Sequence, residues 1–418
     1  MQPSGSRTTN GTMLRALAGV LLAVCISIQS TAAHADAAFD RFIQSLWPDT
    51  QKLGVSRTTF DAATRGLEPD LSLPDLVIPG RPDRQPAQAE FVQTPAEYLK
   101  ESAFDWLAAQ GRALAEKHRA TLTQIEQRFG VPGAIVLAIW ARETNYGAAK
   151  LPHSAVRALA TQAYLGRRKD QFREELLLAL KMLEEGHVTL ANMRASWAGA
   201  MGQPQLLPSG FYKYAIDFDG DGRRDIWTSV PDVLGTIANH LVELGWQRGM
   251  RWAYEVKVPR EIDCTIAQPE VKRTIGDWGK RGVVPARSAQ LSPQAPAQEA
   301  SLLMPAGPYG PAFLATKNYF ALKDYNYSDL YVLFVGHLAD RIAGGLPFSE
   351  PWGKVAQLQT SALERMQREL TRRGFYADKI DGKAGMLTRA ALGAYQKKNG
   401  LPLDCWPSQS VLDHMQRK

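Results

Sequence analysis

Cysteine is scarce in this chain of 418 residues: there are three, Cys25, Cys264 and Cys405. That is too few for a disulfide-built scaffold or a multi-cysteine zinc module. One-sided charge is missing too. The 49 basic and 42 acidic residues give a formal +7, which allows an anionic partner without specifying one. The apolar run from Leu17 to Ile28 is shorter than the ~20 residues a membrane span needs. No convincing serine triad, HExxH zinc motif, phosphate-binding loop or dinucleotide fingerprint occurs. What remains is an ordinary globular composition, 45% hydrophobic and 22% charged. At about 150 residues per domain, the length suggests two or three domains. A chain disordered throughout, a collagen and a polytopic membrane protein are all excluded.

The first 35 residues read as a secretory signal peptide. Arg7 and Arg15 precede the apolar run, and Ala33-His34-Ala35 before Asp36 is a small-x-small cleavage pattern. Cleavage is expected after Ala35, with an uncleaved anchor as the alternative. Bulky Val24 argues against lipid attachment at Cys25. Losing two arginines and no acids brings the charge from +7 to +5. Export to an oxidising compartment permits a bridge between Cys264 and Cys405. They fall in what read as different domains, so two free thiols are expected.

Residues 36–130 carry mostly helical spacing, with an extended Pro/Asp/Gln-rich crossing at 69–90. GAIVLAIWARETNYG follows Pro132 and is apolar on nearly every face at its start, which predicts a buried helix. Residues 253–285 suit short strands. Residues 286–300, rich in Pro, Ala and Gln, are expected to form a mobile surface loop. Leu346 to about Gln357 reads as a hinge. The last 60 residues carry three helical stripes: Leu363, Met366 and Leu370; Ala391, Leu392 and Tyr395; and Leu412. Residues 357–418 hold 11 basic and 6 acidic side chains, a net +5 equal to the whole excess left after signal removal. This unit is the part suited to an anionic polymer, or simply a solvated basic face.

Glu143 is the sharpest candidate for chemistry. It sits near the end of the apolar helix, where burial and the negative helix terminus both disfavour its charge. Both push its pKa up, as a general acid requires. The alternative is a structural carboxylate paired with Arg142. The Gly-rich turn at 198–205 would let backbone approach a ligand, with Gln205 as donor and acceptor. Asp217, Asp219 and Asp221 occupy positions 1, 3 and 5 of a calcium-type loop, with Gly222 at position 6. Position 12 is Thr228 instead of Glu, and Asp225 or Asp232 could substitute. A metal-free Asp/Gly turn fits as well. His240 and His337 fall on helices and read as structural.

Together these segments resemble the lytic murein transglycosylase B family. IWARETNYG, SWAGAMGQPQLLPSGFYKYAIDFDGDGRRDIW, GPAFLATKNYFALKDYNYSDLYVLFVGHLADRI and a Tyr98 segment carry the likeness over most of residues 37–345. Residues 357–416 separately resemble the small three-helix peptidoglycan-binding module, through LTRRGFYADKIDGKAGMLTRAALGAYQKKNGLPLD. The resemblance implies a mainly α (α+β) fold, with a lysozyme-like catalytic domain at 36–345, a hinge at 346–356 and the binding module at 357–418. It implies cleavage of the β-1,4 bond between N-acetylmuramic acid and N-acetylglucosamine without water, leaving 1,6-anhydro ends. Glu143 would be the single acid/base. Ser196, Gln205, Tyr325, Asn326 and Tyr98 would bind substrate. A structural calcium on Asp217, Asp219, Asp221 and Asp232 is a further expectation, with no cofactor required. His240 stands where a relative has a cleft tyrosine, and Cys405 where the module has a Gly-like turn. The expected setting is the periplasm. The expected partner is peptidoglycan glycan strands, not nucleic acid, for a monomer with no membrane span after signal removal. Two rivals remain: a water-using muramidase with Asp219 or Asp232 as second carboxylate, and an inactive wall-binding scaffold.

Overall fold

The computed structural model describes residues 37–81, 89–287 and 291–417. The signal segment, its cleavage position and Cys25 lie outside these residues. The fold is mainly helical. In chain order the principal helices are α1 (Trp47–Lys52), α2 (Arg57–Thr64), α3 (Glu101–Lys117), α4 (Arg119–Phe129), α5 (Gly133–Thr144), α6 (Ala155–Leu165) and α7 (Lys169–Glu184). They continue with α8 (Val230–Glu243), α9 (Lys317–Asn326), α10 (Asp329–Ile342), α11 (Thr360–Arg372), α12 (Met386–Lys398) and α13 (Gln409–Arg417). None of the described helices is long and apolar enough to cross a membrane.

The chain divides into two compact units. The first joins the N-terminal helices to residues 151–201 and 207–209. Its centre is α6 against α7. Ala155, Ala158, Ala160 and Ala163 are buried on α6, and these small side chains let the neighbouring helix approach closely. Buried Glu175 on α7 accepts from the backbone N–H of Ser209 at 2.8 Å and its hydroxyl at 2.6 Å. In the Gly-rich turn, Gly199 has φ +78°, and a Cβ there would lie 2.2 Å from Leu159.

The second unit is built around α5. Every residue from Ile135 to Ala141 is buried, as the all-round apolar pattern predicts. Helices α3, α4, α8 and α10 pack against it. Beside them lies an antiparallel sheet of β1 (Ala253–Lys257), β2 (Lys272–Thr274), β3 (Val284–Pro285), β4 (Glu299–Leu303) and β5 (Ala312–Ala315), ordered β2-β4-β5-β1-β3. Tyr254 stands opposite Leu314, and Leu302 opposite the same residue from the other side.

The expected surface loop at 286–300 needs correction at its end. Ala295 and Ala300 are buried, and β4 begins at Glu299 in the middle of the sheet. Ala300, Ser301, Leu302 and Leu303 are all buried, so the strand lacks the in–out alternation that would have revealed it.

The last three helices form the expected module, with Leu363, Met366, Leu370, Leu392, Tyr395, Leu412 and Met415 as its core. The thiol expectation is overturned: Cys264 and Cys405 form a disulfide, with Cα atoms 6.1 Å apart. Both pack into the hydrophobic cluster beneath the sheet. Their separation of 141 residues kept this proximity out of sight in the sequence. Between body and module, Ser349 and Glu350 donate backbone N–H bonds to Glu255, and Phe348 stacks on His337 at 3.7 Å.

Candidate active site

Helix α5 carries Glu143 one residue before its end. Asn145, Tyr146 and Gly147 then all take left-handed backbone conformations, with φ of 50°, 57° and 82°. This tight reversal frees Glu143 from the buried helix while Thr144 stays buried behind it. Glycine is required at 147: a Cβ there would lie 2.3 Å from the side-chain oxygen of Gln203. Tyr146 anchors the turn by donating its hydroxyl to the Leu107 carbonyl at 2.8 Å.

Gln203 locks the Gly-rich turn to this helix end. Its side-chain oxygen accepts from the Trp140 indole at 2.7 Å, and its amide donates to the Trp227 carbonyl at 2.7 Å. Its own carbonyl accepts from the Thr144 hydroxyl at 3.0 Å. Gln205, two residues on, is left-handed (φ 56°) and folds its amide back to the Gly202 carbonyl at 2.8 Å. A non-glycine residue with positive φ costs energy and tends to mark functional positions. Asn145, Tyr146, Gln205 and Tyr327 all have such angles.

Two tyrosines face the carboxylate. Tyr331, in the first turn of α10, donates its hydroxyl to Glu143 Oε1 at 2.5 Å. Tyr325, near the end of α9, lies almost parallel to it, with ring centroids 6.3 Å apart and 10° between planes. Tyr325 donates to the Pro204 carbonyl at 3.3 Å, which joins α9 to the glutamine turn. Burial, then the Glu143 charge beside them, pushes both phenols well above the usual range, so each stays a hydroxyl. Asn326 is the last residue of α9. His240 on α8 stacks on Tyr214 at 3.7 Å and leans on Tyr325 at 4.4 Å. Burial and nearby Lys213 pull its pKa down to about 4. It is a neutral ring in an aromatic stack, in keeping with the structural reading.

The fold thus sets Tyr325 beside Glu143 and ties it to Pro204, the neighbour of Gln205. Tyr98 packs edge-on against Phe334 at 6.0 Å, and the Arg142 guanidinium lies 5.0 Å over the Tyr98 ring. Ser196 belongs to the first unit, where its hydroxyl accepts from the Ala200 N–H at 3.2 Å. Sequence reasoning passed over Gln203 and Tyr331. Gln203 lay in plain view in GAMGQPQ; nothing local marks Tyr331, because its partner is 188 residues away.

The aspartate loop brings Asp217, Asp219 and Asp221 together, with ligand-type oxygens all within 4.8 Å of one another. Asp217 accepts from the N–H groups of Gly220 and Gly222. Asp232 is placed differently. It is fully buried in the first turn of α8, and its oxygens accept backbone N–H bonds from Phe218, Asp219 and Asp225. Burial pushes its carboxyl up, against the pull of those donors. Asp219 accepts from the Ser229 hydroxyl at 2.6 Å. Both candidate second carboxylates are therefore engaged within the loop.

A carboxyl held by a phenol, with a second aromatic ring alongside, is an arrangement suited to acid/base work on a sugar. Residues 38–340 match the family described as Transglycosylase SLT domain, and residues 359–415 match a peptidoglycan binding domain. The chain belongs to this family: it is an enzyme of the lytic transglycosylase class with a C-terminal peptidoglycan-binding module. It is 30% identical over 232 residues to membrane-bound lytic murein transglycosylase B of Escherichia coli K12, a match covering 54% of this chain and 61% of that protein. Among solved structures it is similar to SltB3 of Pseudomonas aeruginosa in complex with NAG-anhNAM-pentapeptide. There identity is 35% and the TM-score 0.78, covering 90% of this chain and 99% of that one. It is also similar to Slt35 of Escherichia coli in complex with calcium, at 27% identity and a TM-score of 0.52, over 60% and 80% of the two chains.

Proposed function

We propose that this protein cleaves the glycan strands of peptidoglycan between N-acetylmuramic acid and N-acetylglucosamine, without water, leaving 1,6-anhydro ends. The observation that carries the reading is Glu143, its Oε1 held by the Tyr331 hydroxyl at 2.5 Å, as the carboxyl that carries the proton. Glu143 gives that proton to the glycosidic oxygen as the C1–O bond breaks and the N-acetylglucosamine end leaves. The muramic 6-hydroxyl then attacks C1, and its proton returns to Glu143 as the new C1–O6 bond forms. The substrate's N-acetyl group stabilises the cation between the two steps. One carboxylate serves throughout, whereas hydrolysis through two carboxyls needs a partner flanking the bond. The engagement of Asp219 and Asp232 in their own loop supports transglycosylation over the muramidase reading.

Tyr325 supplies a flat face and Asn326 polar edges to the sugars, with Gln205 and Tyr98 beside them. Ser196 is assigned to substrate on its motif position. The likeness to a structure holding a NAG-anhNAM-pentapeptide product supports muropeptide binding by this chain as well. We place the protein in the periplasm after signal removal at Ala35. It acts there as a monomer, since one chain supplies Glu143, both tyrosines and the aspartate loop. Mass spectrometry of digested sacculi tests the chemistry. Products one water lighter than hydrolysis products, absent with Glu143→Gln, are expected. Hydrated reducing ends would make it a muramidase, and binding without products would make it a scaffold.

We also propose that Asp217, Asp219 and Asp221 hold a structural calcium, with Asp232 bracing the loop from behind. Three carboxylates on a glycine-rich loop form the hard oxygen set this ion prefers. Calcium should raise the melting temperature by about 2–5 °C, reversibly on chelation. Asp217→Asn should remove that response; a shift that survives the substitution would refute the site.

A further inference from the structure

The module does more than follow the catalytic body along the chain. On α12, Arg389, Gly393 and Lys397 recur every four residues and so form one stripe. Each meets the body. Lys397 pairs with Asp263 at 2.7 Å. Gly393 lies against the disulfide: a Cβ there would be 2.2 Å from Cys405 Sγ and 3.0 Å from Thr265. Arg389 pairs with Asp329 at 2.9 Å, and both side chains are only 7% exposed.

Asp329 is the first residue of α10, and Tyr331 is the third. One Asp329 oxygen accepts from the Tyr319 hydroxyl and the Lys323 ammonium, both on α9 and both at 2.6 Å. The other oxygen is the one Arg389 takes. The turn entering α10 is also capped by Ser328, whose hydroxyl accepts from the Tyr331 N–H at 3.4 Å, so Arg389 adds a second hold on it through Asp329. Tyr327 before it is left-handed (φ 56°) and 73% exposed. We propose that Arg389 of the module is a positioning residue for catalysis: acting through Asp329, it fixes the first turn of α10 and so holds Tyr331 against Glu143. A short phenol–carboxylate contact loses much of its worth when its donor drifts by half an ångström. A cavity of about 610 Å³ borders Lys323, Asp329, Thr388 and Arg389. Water can enter it when the guanidinium is removed, which favours a folded variant.

The inference rests on the role proposed for Glu143, and the test separates the two. The full chain, disulfide intact, is assayed on short soluble glycans for kcat and KM of anhydro-product formation. With Arg389→Met, kcat should fall about tenfold while KM stays within about twofold. Arg389→Lys, which keeps the charge but loses the fork, should retain about a fifth to a half of wild-type kcat. The deciding measurement is a cycle with Tyr331→Phe: once the phenol is gone, either Arg389 change should have no further effect on kcat. Unchanged kcat, losses that multiply in the double variants, or a defect confined to intact sacculi would overturn the proposal. If Arg389→Met does not fold, the Arg389→Lys arm decides alone by the same cycle. Failure of wild type to make anhydro products would instead strike the proposed chemistry.

Discussion

Two carboxylates near the start of α10 are held in opposite ways. Asp329 is buried and saturated, with a tyrosine, a lysine and an arginine sharing its two oxygens. Burial opposes its charge, but Lys323 and Arg389 more than offset this, and its carboxyl lies well below the usual range. Glu143 is half-buried, at a helix end whose carbonyls discourage further negative charge, with Tyr331 on one oxygen. A carboxylate that must only be charged is surrounded by donors. One that must pass a proton back and forth needs an oxygen within substrate reach. Two cationic partners mark the structural acid, Lys323 and Arg389, while a phenol holds the working one.

The contrast can be broken in a stated order. Glu143→Gln should cut turnover by about 10³-fold or more and leave thermal stability unchanged or slightly raised. A large stability loss there would make Glu143 a second structural acid. Asp329→Asn should do the reverse, costing about 3 kcal/mol of stability by leaving Lys323 and Arg389 buried without their counter-charge. Because the folded carboxyl is depressed, its contribution is complete above the unfolded value of about 3.9 and fades only in stronger acid. Urea titrations of both proteins at pH 7 and pH 5 should therefore show the same gap. Replacing Cys264 and Cys405 together by serine should cost about 2–4 kcal/mol, read from the same titrations. An effect seen only on acidification belongs to His240. Its folded pKa, near 4, lies below the unfolded value of about 6.5. The unfolded state therefore binds more protons in that window, and this group's contribution should lower stability by about 3 kcal/mol from pH 7 to pH 4. His240→Phe should flatten that slope; a slope that persists would assign it to other groups.

Legibility in the sequence followed the range of the interaction. Glu143 stood out because an acid ending an all-apolar helix is locally anomalous, and Gly147 and the aspartates carry their constraints within a few residues. The module's helices showed in their Leu and Met stripes. Hidden features depended on partners far along the chain: Tyr331 on Glu143, Arg389 on Asp329, Cys264 on Cys405. Strand β4 escaped for another reason. A centre strand covered on both faces loses the alternation by which strands are read, and its alanines look like those of a linker.

The disulfide also bears on states other than the folded one. Cys264 finds no partner until residue 405 has been made and brought back across 141 residues. Closing so long a loop removes much of the freedom of the unfolded chain, so the bridge acts on the unfolded state as well as on the folded one. It also keeps the module's end tied to the body when other contacts between them open, which shortens the search for their return.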